Sequence, residues 1–189
     1  MYEHMIDGGT IRKLWINQAP LYREHLLRLD PESRRNRFGG AVADEFIHAY
    51  GQPGRLAGAV IHGFFVDGVL RAAAELRTLA IAHEAEVALS VEKAWQSFGV
   101  GTALLERILL AARNRGIRVL HMTCLAENPR MRQLALKFHA DLKLDHASVV
   151  GEVEAPSATP MSLALELVID STGFATAFLD LQAQLLRAA

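Results

Sequence analysis

Gln96-Ser97-Phe98-Gly99-Val100-Gly101-Thr102 sets an amide, two hydroxyls and two glycines just before a run of apolar residues at helical spacing. At a helix N-terminus such a segment aims unpaired backbone N–H groups and the positive end of the helix dipole at one point, the chemistry of a phosphate cradle. Glycines there let the main chain approach a ligand closely and adopt dihedrals that other residues avoid. The same spacing also serves as a plain tight turn from strand to helix. Two nucleotide signatures fail: the dinucleotide fingerprint needs a third glycine in register, and the P-loop needs a lysine after its last glycine.

Other reactive side chains are scattered. The eight histidines, His4, His25, His48, His62, His83, His121, His139 and His146, include no pair at i, i+4 on one helix, so no metal site is expected. Cys124 is the only cysteine, which excludes a disulfide framework and a structural zinc knuckle and fits a reducing compartment. Arg34, Arg35 and Arg37 form the one basic cluster, either a solvated helix end or a contact for an acidic acceptor. Glu75 sits between Arg71 and Arg77 on a strand pattern, which suggests an ordinary cross-strand pair, and Glu86 stands on the polar side of the next strand.

These residues need a scaffold. Asp67-Gly68 separates Leu56–Val66 from Val69–Leu79 and is the strongest hairpin signal in the chain. Ala85–Val91 alternates, Val87, Leu89 and Val91 on one face against Glu86, Ala88 and Ser90 on the other. Gly101–Arg115 is a helix by its stripe of Leu104, Leu105, Ile108, Leu109 and Ala112, its cationic last turn and the terminator Gly116. With a strand over Ile117–Leu125 it completes a strand-helix-strand unit whose strands are parallel. Asn128-Pro129 opens a further helix through Phe138. Upstream, Ile11–Trp15 reads as a strand, Ala19–Leu29 as a helix, and Asp30-Pro31 as a helix start. Leu142–Leu144 and Ser148–Glu154 finish the sheet.

The Gln96–Gly101 segment resembles the signature of the GNAT acyltransferases, Gln/Arg-x-x-Gly-x-Gly/Ala, and the resemblance runs over roughly Ile11 to Glu154. It includes the Asp67-Gly68 hairpin, the Glu86 strand and Asn128; Ala85-Glu86-Val87 through Trp95-Gln96 and Leu125-Ala126-Glu127-Asn128 are similar to the catalytic domain of bacterial protein acetyltransferases. The resemblance implies a three-layer αβα fold of α/β class around a mixed sheet of six to seven strands, with acetyl-CoA as co-substrate. It implies a coenzyme pyrophosphate on Gln96, Ser97, Phe98, Gly99, Val100, Gly101 and Thr102, and a pantetheine arm in a splay between the two parallel strands near Val91, beside Asn128. It also implies catalytic roles for Asn128 and for Glu86, the latter as general base with Glu75 as the rival, because an ammonium of pKa about 10.4 must lose its proton before attacking a thioester. Asn128 doubles as a helix cap, and Glu86 equally suits a solvent-facing position. Two departures stand out. Ala135 occupies the place of the family's tyrosine acid, leaving Ser90 or Cys124 as candidates for that role, and His139 replaces a glycine.

Net charge is −1, with 51% hydrophobic and 22% charged residues, the balance of a globular chain and not of a nonspecific nucleic-acid binder. No uninterrupted apolar run reaches the length of a membrane span, and the first residues lack a secretory pattern. The expected organisation is an acyltransferase domain over 1–155 and a helical extension over 156–189. The stripe Phe174, Phe178, Leu181 and Leu185 should pack the extension on that domain or across a dimer, with a bend near Gly173. The leading reading is a cytoplasmic N-acetyltransferase acting on a small-molecule or protein amine, as monomer or homodimer. A non-catalytic acyl-CoA-binding or regulatory module is the alternative.

Overall fold

Asp67 and Gly68 both take positive φ, 51° and 74°, the geometry of a two-residue hairpin turn whose twist matches its strands. They join β2 (Val60–Val66) to β3 (Val69–Thr78), paired antiparallel from Val66 opposite Val69. The computed structural model describes residues 8–145 and 148–188. Before this hairpin come β1 (Thr10–Leu14), α1 (Ala19–Arg28), α2 (Pro31–Phe38), α3 (Asp44–Tyr50) and α4 (Pro53–Leu56). After it come β4 (Glu84–Val91), α5 (Val100–Asn114), β5 (Val119–Leu125), α6 (Pro129–Lys137), β6 (Asp141–Asp145), β7 (Ser148–Glu154) and α7 (Pro160–Ala188).

The strands form one sheet ordered β1-β2-β3-β4-β5-β7-β6. Only β4 and β5 run parallel, and the other pairs are antiparallel. One face buries Phe64, Leu76, Val87, Leu120 and Met122 against Leu104, Leu105 and Ile108 of α5 and Ala135 of α6. The other buries Phe65, Leu70 and Ile61 against Tyr22 and Leu26 of α1, Ile47 of α3 and Leu56 of α4. This is the expected three-layer αβα arrangement with a mixed sheet.

Two helices carry the site, and each ends as its sequence requires. At α5, Gly116 takes φ 71° while its N–H reaches Arg113 O and that of Ile117 reaches Ala112 O. At α6 the same pair of bonds runs from His139 N to Leu136 O and from Ala140 N to Ala135 O, with His139 itself at φ 58°. Both are Schellman closures, whose left-handed residue is ordinarily glycine. The histidine in place of glycine is therefore held in a conformation that disfavours side chains.

Three features differ from expectation. Residues 44–56 form α3 and α4, so Leu56 anchors α4 instead of opening β2. α7 runs as one helix through Gly173, where a side chain would press on Arg12 of β1, its Cβ 3.0 Å from that of Arg12. The glycine permits this close approach. α7 also meets the domain with its polar stripe. Ser162 donates to Asn114, Glu166 accepts from Asn114 and Arg115, and Asp170 pairs with Lys13. Phe174 and Phe178 are not covered by the chain's own domain, and the side chains of Leu181 and Leu185 lie outside the described residues. Pro160–Leu179 is long and apolar enough to cross a membrane by length and composition alone, yet Glu166 and Asp170 fall within it and are tied to the domain.

Candidate active site

β4 and β5 pair over only three residues, Glu84–Glu86 against Val119–His121, although β4 continues to Val91 and β5 to Leu125. Beyond Glu86 the strands part, and their main-chain groups face an opening instead of each other. Two clefts occupy this region and meet at Asn36 of α2.

The first, about 400 Å³, lies under the start of α5. Leu89, Ser90 and Val91 line one wall; Gln96, Ser97, Gly99, Gly101 and Thr102 cap it; Asn128, Arg130 and Lys137 close the side of α6. The cap is shaped by backbone. Ser97 and Gly99 take φ 68° and 82°, and the first helical bond of α5 runs from Ala103 N to Gly99 O. The N–H groups of Val100, Gly101 and Thr102 therefore precede any intrahelical partner. Gly101 itself has ordinary helical φ. Its contribution is space, since an added Cβ would meet nothing nearer than Leu134 Cδ2 at 3.7 Å.

Gln96 fastens this loop. Its Nε2 donates to Val91 O and to Ser33 Oγ, each at 3.0 Å, and Ser33 in turn donates to Asp30, the N-cap of α2. Trp95 packs edge-on against Phe64, ring centres 5.6 Å apart. Of the loop residues singled out from sequence, Phe98 and Val100 do not line the cleft, Phe98 standing exposed and Val100 turned into the core. Asn128 lines the cleft while its Oδ1 accepts from Met131 N, capping α6. Arg130 and Lys137 escaped the sequence reading, since nothing along the chain marks which exposed cations of a helix turn toward a cleft.

The second cleft, about 420 Å³, is lined by Glu86 and Ala88 of β4, Thr123 and Cys124 of β5, and Phe38, Tyr50, Arg55, Glu75 and Arg77. Its two carboxylates differ in kind. Glu75 is buried and accepts from Tyr22, Tyr50, Arg37 and Arg77. Burial works to raise its pKa, but the Arg37 charge, the Tyr22 hydroxyl and Arg77 outweigh burial and hold it below the ordinary carboxylate value. Burial pushes the Tyr22 and Tyr50 hydroxyls up, so they remain donors. Arg71, expected beside Glu75, instead pairs with Glu92. Glu86 is exposed at the cleft and has no ion pair among the described residues.

The basic cluster comes apart. Arg34 pairs with Asp44, Arg35 with Glu127 across to the loop before α6, and Arg37 is committed to Glu75. Ala135 is buried in the main core, so α6 offers no hydroxyl at the place where the resemblance expects a tyrosine. Cys124 is buried, which pushes its thiol pKa up. Among the described residues no three His, Cys, Asp or Glu side chains gather in a metal-holding group.

The family model for the GNAT acetyltransferases matches residues 42–140, from the start of α3 through α6, which include most of the residues lining the two clefts. No curated sequence matches the chain. Solved structures share the fold. The GNAT domain of S. lividans PAT superposes with a TM-score of 0.66 at 23% identity, covering 82% of this chain and 99% of that one. The PaiA N-acetyltransferase of Thermoplasma acidophilum, in complex with coenzyme A, gives 0.61 at 20% identity over 78% of this chain and 99% of that one. YncA of Salmonella typhimurium, a putative acetyltransferase with its cofactor acetyl-CoA, gives 0.58 at 16% identity over 81% and 97%. With more than half of its length matched by the family model, and the parted strands and helix-capping loop in place, the chain belongs to the GNAT acetyltransferase family.

Proposed function

We propose that the chain is an N-acetyltransferase that moves an acetyl group from acetyl-CoA to a primary amine of a small molecule or protein by direct attack. The parting of β4 and β5 beneath the Gln96–Thr102 loop carries this reading, because it joins a helix start suited to an anion to a slot where the β4–β5 ladder has stopped. Coenzyme A supplies the acetyl group as an activated thioester. The N–H groups of Val100, Gly101 and Thr102 would hold its pyrophosphate, with Gln96, Ser97, Phe98 and Gly99 shaping the loop and Arg130 and Lys137 adding positive charge. Val91 and Asn128 border its arm. The solved PaiA and YncA structures, each holding its coenzyme, support coenzyme A as the co-substrate.

Glu86 is the general base in this reading. The acceptor amine enters the second cleft, and Glu86, with no ion pair among the described residues, takes its proton directly or through a water. Glu75 is unsuited, since Arg37, Arg77 and the hydroxyls of Tyr22 and Tyr50 together hold it as the anion and below the ordinary carboxylate value. A thiol of pKa about 8.5 departs tolerably as thiolate, so the lack of an α6 hydroxyl does not bar turnover. That lack is nonetheless what favours the second reading, a non-catalytic acyl-CoA-binding module. A cytoplasmic location suits the single unpaired Cys124.

Calorimetric titration with acetyl-CoA tests the site. Wild type should bind, and Gly101→Asp, which brings a carboxylate to the cradle, should bind far more weakly. Equal affinity in a folded variant refutes the assignment. Thiol release with a panel of amines then separates the two readings: turnover supports the enzyme, and binding without turnover supports the module.

A further inference from the structure

Ser90, His25 and Glu92 form a buried constellation that direct acetyl transfer does not use. His25 of α1 is fully buried, with Nε2 2.8 Å from Ser90 Oγ and Nδ1 3.3 Å from Glu92 Oε1. Glu92 is fixed in turn by Arg28 Nε at 2.9 Å and Arg71 Nη1 at 3.1 Å. An ionised carboxylate can only accept, so Nδ1 carries the imidazole proton. Burial favours the neutral ring, which leaves Nε2 as an acceptor and makes the Ser90 hydroxyl its donor. The serine proton points at a base, the base is oriented by a carboxylate, and Ser90 lines the first cleft between Leu89 and Val91. That order of nucleophile, base and orienting acid defines an activated serine.

We propose that Ser90 is a nucleophile that accepts the acyl group of a thioester held in the first cleft when no amine is present, giving the chain an acyl-thioester hydrolase activity. The proposal rests on the reading that this cleft takes acyl-CoA. A bond forms between Ser90 Oγ and the acyl carbon and the carbon–sulfur bond breaks; the hydroxyl proton passes to His25 Nε2 and from there to the departing thiolate. Water then attacks the acyl-serine, its oxygen bonding to the acyl carbon as the bond to Oγ breaks. One water proton returns through His25 to Ser90. The products are the free thiol and a carboxylic acid. Glu92 is a positioning residue throughout.

The test uses two acyl donors without amine: acetyl-CoA, and p-nitrophenyl acetate, which needs no coenzyme site. Thiol or nitrophenol release is followed at neutral pH, with acyl adducts located by mass spectrometry and coenzyme affinity read by calorimetry. Wild type should hydrolyse both donors. Ser90→Ala and His25→Gln should each lose about 10²-fold or more in rate at saturating donor. Ser90→Cys, which keeps a nucleophile, should carry the acyl group at position 90. The proposal is overturned if wild type hydrolyses neither donor, or if a folded Ser90→Ala hydrolyses them at the wild-type rate. Should Ser90→Ala fail to fold, an unacylated Ser90→Cys overturns it instead. Ser90-dependent hydrolysis of the nitrophenyl ester without acetyl-CoA binding would sink the coenzyme reading alone and leave the activated serine standing.

Discussion

Acid should destabilise this chain through His62, a residue remote from either cleft. It sits in β2 opposite Lys13 of β1 and Ala74 of β3. The side chain is buried, and neither ring nitrogen has a hydrogen-bond partner among the described residues. Burial, reinforced by the charges of Lys13 and Arg107, pushes its pKa down to about 3. A histidine in the unfolded chain titrates near 6.5, so below that pH the unfolded state binds the extra proton and stability falls until the folded-state value is reached. Each pH unit within the window is worth about 1.4 kcal/mol, so His62 alone should remove about 2 kcal/mol between pH 7 and about pH 5. His25, lowered in the same direction by its burial, adds with the same sign. Glu75 and Glu92 are held below the ordinary carboxylate value, and the stability they confer is lost only at lower pH. Urea unfolding of wild type and His62→Leu at the two pH values isolates the contribution. The leucine variant should lose about 2 kcal/mol less on acidification, and at pH near 7 it should be no less stable, because it removes two unsatisfied buried nitrogens. Equal losses in the two proteins would refute the reasoning.

Three further outcomes are expected. Glu86→Gln should lower kcat by about 10²-fold or more with acetyl-CoA affinity nearly intact, as loss of a general base does; equal steady-state rates would remove Glu86 from the role. His139→Gly should stabilise the fold by about 0.5–1 kcal/mol in chemical denaturation, because it relieves a side chain from the left-handed region at an exposed helix end. Deleting residues 161–189 strips partners from Lys13, Asn114 and Arg115, so the midpoint should fall, while the loss of exposed Phe174 and Phe178 should raise solubility; sedimentation and denaturation read both.

What could be read from the chain was what local chemistry dictates. Asp67-Gly68 announces its turn because few pairs tolerate two positive φ angles in succession, and Gly116 announces the end of α5 for a related reason. The loop that starts α5 was legible because glycines, a strand and an amphipathic helix are contiguous. α3 and α4 were not, since each is short and anchored chiefly by one buried apolar residue, Ile47 and Leu56. α7 was legible as a helix, but its facing was inverted. An apolar stripe normally marks the buried side, whereas here Ser162, Glu166 and Asp170 find partners on α5 and β1 and hold the polar side inward. The Ser90–His25–Glu92 group was out of reach for another reason, as His25 lies 65 residues before Ser90 and only the packing of α1 on β4 joins them.

The contrast between Glu75 and Glu86 shows how one fold sorts like residues into different work. Both stand beside the second cleft on neighbouring strands, and the chain alone ranks them only by their arginine neighbours. Packing α1, α2 and α3 on the same face of the sheet brings Tyr22, Arg37 and Tyr50 onto Glu75, and Arg77 completes the set. A carboxylate so surrounded is fixed as an anion, because protonation would leave buried donors unpaired at about 1–3 kcal/mol each. It can brace the helices over the cleft but has no capacity left for a substrate's proton. Glu86 lies at the last parallel pair of β4 with β5, where the strands begin to separate. The parting that opens the slot assigned above to the coenzyme arm thus also leaves this carboxylate uncovered, so the proposed base is accessible because the β4–β5 ladder stops there. Closing the gap by extending the β4–β5 ladder would remove the slot and enclose Glu86 together, so under the proposed function one structural feature serves both thioester binding and proton removal.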